Sequence, residues 1–146
     1  MQLRTDRTYD LPFDVASFWG RIEHVEQYRD WWPWLRRFEA TPLASGERWV
    51  CRVRPPVPYG VTFAVHLDEV DRPDRIEAHV SGDIGGTASL SIAPTASGCT
   101  IRLVSDLAPR SRALRALSWV ARPVVRYGHD SILASGVRQF TERSRG

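Results

Sequence analysis

Val61-Thr62-Phe63-Ala64-Val65-His66-Leu67-Asp68 alternates apolar and polar side chains along its whole length, and this period of two decides the fold. In an extended strand successive side chains point to opposite faces, so Val61, Phe63, Val65 and Leu67 share one face and Thr62, Ala64, His66 and Asp68 the other. The same period recurs on the C-terminal side. Ile76, Ala78 and Val80 alternate with Glu77, His79 and Ser81; Ala88, Leu90 and Ile92 with Ser89 and Ser91; Ile101 and Leu103 with Thr100 and Arg102. On the N-terminal side, Trp49, Cys51 and Val53 share a parity opposite to Arg48, Val50, Arg52 and Arg54. Turn-forming residues separate these runs: Ser45-Gly46, Pro55 to Gly60, Asp71-Arg72-Pro73-Asp74, Gly85-Gly86 and Ser97-Gly98. Short strands with one apolar parity give an antiparallel sheet with a dry face and a wet face.

The ends of the chain have a different period. Leu3 to Leu11 reads as a strand, and Pro12 then suits the start of a helix, where a missing N–H costs nothing. Val15, Phe18, Trp19 and Ile22 fall on one helical face. A second short helix is expected from His24 to Tyr28, ending in Trp31-Trp32-Pro33-Trp34, where Pro33 pushes Trp32 out of the helical region. After Pro109, Leu114, Leu117, Val120, Ala121 and Val124 define another helical face. Pro123 should break or kink that helix. The following segment places Val125, His129, Ile132, Leu133, Gly136, Val137 and Phe140 on one stripe. The order is one strand, two helices, six strands and a long broken helix. It defines an α+β chain whose curved antiparallel sheet wraps the C-terminal helix.

Several segments resemble the START-like (SRPBCC) superfamily, whose fold is called the helix grip. Leu11-Pro12-Phe13-Asp14-Val15 with Phe18-Trp19 is similar to its entry from first strand to first helix. Tyr28-Arg29-Asp30-Trp31-Trp32-Pro33 is similar to its Y-x-x-W-x-P segment, and Gly98-Cys99-Thr100-Ile101-Arg102-Leu103 to its penultimate element. Arg122-Pro123 and Gly136-Val137-Arg138-Gln139-Phe140 are similar to its final helix. The resemblance covers nearly the whole chain and is strongest to the polyketide cyclase/dehydrase-like branch. It implies a single ligand-binding domain over residues 1–146, with a cavity between sheet and C-terminal helix. Such a fold does not by itself specify a function.

Composition sets outer limits. A chain of 146 residues, 42% hydrophobic and 25% charged, can bury a full core without a metal or disulfide staple. Cys51 and Cys99 stand in no ligand or redox spacing and are expected as free thiols. No apolar run approaches membrane-spanning length, and the first residues lack the apolar core of a secretory signal, so a cytoplasmic location is the expectation. The net charge is +3 and every basic residue is arginine. Arg codons are GC-rich, so this bias points to codon usage; with no nucleic-acid motif alongside it, no nucleic-acid partner is expected. Arg110, Arg112, Arg115, Arg122 and Arg126, interleaved with Leu114, Leu117, Trp119 and Val120, form a basic amphipathic segment. That segment is either a solvated face or a site of transient contact with an anionic membrane surface.

Candidate site residues follow from parity. His66 and His79 share the polar parity and should face away from the dry side, and His24 lies in a polar link. His129 alone lies on the apolar stripe, with Gly128 beside it and Gly136 further along. It is either a core histidine bonded to a neighbouring group or a ligand contact and candidate acid/base. Trp32, Trp49 and Tyr59 are candidate aromatic walls, with Phe63, Leu90, Leu133 and Gly136 as apolar lining and Ser105 as a hydrogen-bond donor at one end. No nucleophile elbow, metal-ligand spacing or phosphate loop occurs, so neither metal nor cofactor is expected. The favoured function is binding of a small hydrophobic molecule such as a lipid, isoprenoid or aromatic polyketide. The alternatives are a polyketide cyclase/dehydrase acting through His129, and a protein-interaction module with an exposed apolar patch. Oligomeric state is not legible in the sequence.

Overall fold

A computed structural model of the chain describes residues 2–39, 41–54, 60–120 and 122–144. Strand β1 (Leu3–Leu11) leads to helix α1 (Val15–Ile22), a 3-10 turn (Val25–Gln27) and the single-turn helix α2 (Tyr28–Trp31). Six strands follow: β2 (Leu35–Glu39), β3 (Arg48–Val53), β4 (Val61–Asp71), β5 (Arg75–Gly82), β6 (Ile84–Thr95) and β7 (Gly98–Pro109). Helices α3 (Arg112–Val120) and α4 (Arg122–Arg143) end the chain.

The seven strands form one antiparallel sheet in the order β1-β7-β6-β5-β4-β3-β2. This is a hairpin meander from β2 to β7, with β1 returning to pair with β7 from Leu3↔Leu107 to Leu11↔Cys99. The sheet, the C-terminal helix and the short helices after the first strand make a helix-grip fold. Parity places the strands as the alternation requires: Cys51, Val53, Val61, Leu67, Ala78, Val80, Ile92 and Ile101 are all buried. His66 and His79 face each other across β4 and β5 on the outer face, their rings stacked 4.3 Å apart.

Two bulges, between Leu35 and Arg37 in β2 and between Leu67 and Glu69 in β4, curve the sheet. Gly86 adds a kink. Its φ of +146° is open to glycine, and a Cβ there would lie 1.9 Å from the Asp106 carbonyl oxygen. The Gly85-Gly86 pair therefore lies inside β6 and is not the turn its composition suggests; the β5–β6 turn is at Gly82-Asp83. Asp83 anchors that turn, accepting from the Thr62 amide through Oδ2 (2.9 Å) and from the Arg110 amide through its carbonyl (2.7 Å).

Helix α1 begins three residues after Pro12. Asp14 is its N-cap and accepts from the Ser17 amide at 2.8 Å, satisfying one of the free first-turn donors. The C-terminal break precedes Pro123 and does not follow it: α3 ends at Val120, residue 121 lies outside the described residues, and Pro123 occupies the first turn of α4. Helix α4 lies across the inner face, with Arg126 donating to the Arg4 carbonyl of β1 and Arg143 to the Trp31 carbonyl. Among the described residues no helix is long and apolar enough to cross a membrane.

Candidate functional site

Among the described residues, three adjoining cavities lie on the inner face of the sheet, two of them against α4. The largest, about 290 Å³, extends over β3 to β6 beneath α2 and β2; its walls include Tyr28, Trp32, Phe38, Trp49, Ile76 and Leu90. A second, about 230 Å³, lies along α4 and is lined by Phe18, Ile101, Leu133, Gly136, Val137 and Phe140. These two share Ile22, Trp32, Trp34, Leu90 and Leu103. A third, about 170 Å³, sits at the other end among Leu3, Phe63, Leu107, Leu114, His129 and Leu133; it shares Ile132 and Leu133 with the second. The result is a chain of apolar space that follows α4 from Gly128 to Phe140 and continues beneath α2.

The walls are fixed by their own polar handles. Pro33 holds Trp32 extended (φ −120°, ψ 90°), and a turn follows in which the Leu35 amide donates to the Trp32 carbonyl at 3.0 Å. The Trp32 and Trp34 rings stack 5.5 Å apart. Trp32 Nε1 donates to the Gly136 carbonyl (2.9 Å) and Trp34 Nε1 to Gln139 Oε1 (2.8 Å), tying both indoles to α4. A Cβ on Gly136 would meet Trp34 Cζ2 at 3.5 Å, an ordinary van der Waals contact. Trp49 Nε1 donates to the Thr41 carbonyl (2.9 Å). Tyr28 stacks on Phe38 at 5.4 Å, and its hydroxyl donates to the Ile22 carbonyl.

Among the described residues no charged group lines these three cavities. Burial raises the Tyr28 phenol well above its ordinary range and pushes the Cys51 thiol up to about 12. His129 is 15% exposed, and its Nδ1 lies 3.4 Å from Asp130 Oδ1. Burial lowers its pKa below the usual 6.5, with Arg126 adding to the effect and Asp130 opposing it. The imidazole is neutral at pH 7, and among the described residues its Nε2 has no partner. Asp130 faces away, toward Arg126 Nε at 3.3 Å.

Of the residues singled out in the sequence, Trp32, Trp49, Phe63, Leu90, His129, Leu133 and Gly136 all line this space. Ser105 does not. It sits half-buried on β7 between Leu103 and Leu107, opposite Thr5 and Ala88, where one cavity has ended and the next has not begun. Tyr59 lies outside the described residues. Trp34, which belongs to the same aromatic cluster of the sequence as Trp31 and Trp32, lines two of the cavities as well. The sequence reading missed Tyr28 and Phe38; Tyr28 sits in a helix too short to show a period. Cys51 and Cys99 are free and buried. Among the described residues no group of three or more His, Cys, Asp or Glu is placed to hold a metal. In the basic segment, Trp119 is 86% exposed.

Solved structures share this architecture. The di-domain aromatase/cyclase StfQ from the steffimycin biosynthetic pathway superposes with a TM-score of 0.76 at 12% identity, over 98% of this chain and 50% of that one. This chain therefore spans half the length of that protein. The Zhui aromatase/cyclase from Streptomyces sp. R1128 gives 0.70 at 14% identity, covering 100% of this chain and 98% of that one. A START superfamily protein from Mycobacterium smegmatis gives 0.72 at 14% identity, covering 97% and 96%. The fold is thus the helix grip shared with these structures. No protein-family model and no curated protein sequence matches the chain.

Proposed function

We propose that residues 1–146 act as one binding domain that holds a small, largely apolar molecule in the space between the sheet and α4. One observation carries this: the adjoining cavities are walled by aromatic and aliphatic side chains, and the few polar groups among them are neutral or already bonded. Transfer of apolar surface into such a space is favoured by roughly 25 cal/mol per Å². Rings held by their N–H groups give a flat ligand preset faces to stack on. A lipid, an isoprenoid or an aromatic polyketide fits this description. The test is titration with the neutral dye N-phenyl-1-naphthylamine, read by energy transfer from the wall tryptophans. A single saturable site is expected, abolished by Ala88→Phe in a protein whose circular dichroism is unchanged. Absence of saturable binding, or binding indifferent to that substitution, would refute the reading.

A second reading is supported by His129, whose unpartnered Nε2 on a neutral ring at the cavity wall could take up a proton. Two of the structural neighbours are aromatase/cyclases. On this reading a bound poly-β-ketone is positioned by the walls, and His129→Ala lowers its turnover by about 100-fold or more while dye binding persists.

A further inference from the structure

The surface beside the apolar space carries charge that the described lining of the interior lacks. A cleft of about 370 Å³ opens beside the cavities, between the loop before β2, the end of β3 and α4; it is lined by Pro33, Arg36, Arg54, Ser131 and Ser135, together with Trp34 and Ile132. Trp34 and Ile132 are also walls of the inner space, Trp34 of the two larger cavities and Ile132 of the second and third. The cleft and the apolar space are thus the two sides of one Trp34–Ile132 boundary.

The two arginines are set there by the sheet. The Arg54 amide donates to the Trp34 carbonyl at 2.8 Å, continuing the β2–β3 ladder beyond Leu35↔Val53. The bulge between Leu35 and Arg37 gives Arg36 an unpaired position in β2, and its side chain reaches the same cleft as that of Arg54. Many arginines of this chain have partners: Arg37 pairs with Glu39, Arg72 with Glu23, Arg102 with Asp6 and Arg126 with Asp130. Among the described residues the guanidinium groups of Arg36 and Arg54 have no hydrogen-bond or ion-pair partner, and no carboxylate lines the cleft. The nearest acid along α4, Asp130, is engaged by Arg126. Two unpaired guanidinium forks share the cleft with two serine hydroxyls, and among its described residues no carboxylate offsets their charge.

We infer that the ligand is an amphipathic anion: its apolar body lies in the cavity, and its carboxylate or phosphate head is held in the cleft by Arg36 and Arg54 with Ser131 and Ser135. The inference rests on the cavity being a binding site, and it adds the head-group chemistry and the orientation. Guanidinium groups bind both head groups through paired N–H donors, and Ser hydroxyls supply further donors to the remaining oxygens.

The experiment is competition against bound N-phenyl-1-naphthylamine, whose lack of charge makes it a reporter of the cavity alone. Dodecanoate, dodecyl phosphate and dodecanol share one tail and differ in the head. Either or both anions are expected to displace the dye at concentrations about tenfold or more below dodecanol, a difference of about 1.4 kcal/mol. The advantage should shrink as salt is raised. The better of the two anions identifies the head group. In the Arg36→Gln/Arg54→Gln double variant the three competitors should converge to within about twofold, as the charge-assisted contacts are gone; both residues are exposed, and dye affinity should stay at the wild-type value. Equal competition by all three ligands in the wild type overturns the inference and leaves the cavity reading standing. An anion preference that survives the double substitution overturns the assignment to these arginines. Failure of the dye itself to bind removes the cavity reading, and this inference with it.

Discussion

Gly136 is the position where stability and binding should separate. It lies inside α4, where glycine costs about 0.8–1.0 kcal/mol relative to alanine because the unfolded chain loses more freedom. A Cβ on Gly136 would meet Trp34 Cζ2 at 3.5 Å, and Trp32 Nε1 and Trp34 Cη2 at 4.0 Å. These are ordinary contact distances, so Gly136→Ala should fit with neither indole displaced and with the Trp32 Nε1 bond to the Gly136 carbonyl kept. The expected result is a gain of about 1 kcal/mol, seen in urea unfolding as a higher midpoint at constant slope and in melting as a rise of about 3 °C. Gly136→Leu reaches past that first contact into the 230 Å³ cavity and should remove dye binding while the fold persists. A fall in stability for Gly136→Ala would mean that the indoles sit closer to α4 than described. Undiminished dye binding in Gly136→Leu would place the ligand elsewhere. If both outcomes are as expected, the native glycine is costing the protein stability in order to keep space open between two tryptophans.

Two further outcomes concern groups that burial has left without full compensation. The His129 pKa is lower in the folded protein than its unfolded 6.5, so below about pH 6.5 the unfolded chain gains a proton that the folded chain does not. Stability from this group is complete above pH 6.5 and should fall as the pH is lowered toward the folded value, by at most about 1.4 kcal/mol per pH unit. Urea midpoints between pH 5 and 7.5 should show that slope reduced in His129→Gln, and identical slopes would refute it. Thr5 is 3% exposed and its Oγ1 has no partner among the described residues. Thr5→Val should therefore be neutral or stabilising by up to about 1 kcal/mol, since it removes a hydroxyl that folding desolvates and leaves unbonded. A loss of more than that on unfolding would show a bonded hydroxyl.

The sheet was legible because its signal is periodic: one parity of β3, β4, β5, β6 and β7 is apolar, and that parity faces α4. The helical stripe of α4 was legible for the same reason. Where the reading failed, the physics was not periodic. Gly85-Gly86 has the composition of a turn, but what uses Gly86 is the close approach of the Asp106 carbonyl across the ladder, a contact between residues far apart in sequence. The break expected at Pro123 is present, with Pro123 in the first turn of α4. Ser105 has the right parity and the wrong depth, because parity says which face a residue is on and nothing about where along that face a cavity ends. Arg36 and Arg54 could not be distinguished from the other arginines until the cleft they share was known.

That last point bears on how the site would select its ligand. Inside the cavity the indole N–H groups of Trp32, Trp34 and Trp49 and the Tyr28 hydroxyl are already satisfied by the protein. An interior with few free donors offers shape and ring faces, and discriminates between apolar ligands by only about 1–3 kcal/mol per misplaced methylene. Hydrogen-bonding groups discriminate more strongly, because a ligand that fails to match them leaves them unpaired. Here the free donors lie in the cleft, across Trp34 and Ile132 from the cavity. A ligand entering head-last would bury its tail and place its charge among those donors; the opposite orientation would bury the charge in apolar space, at a cost of several kcal/mol. Such a division of labour between a neutral interior and a cationic cleft would fix orientation with no charged group among the described residues of the interior wall.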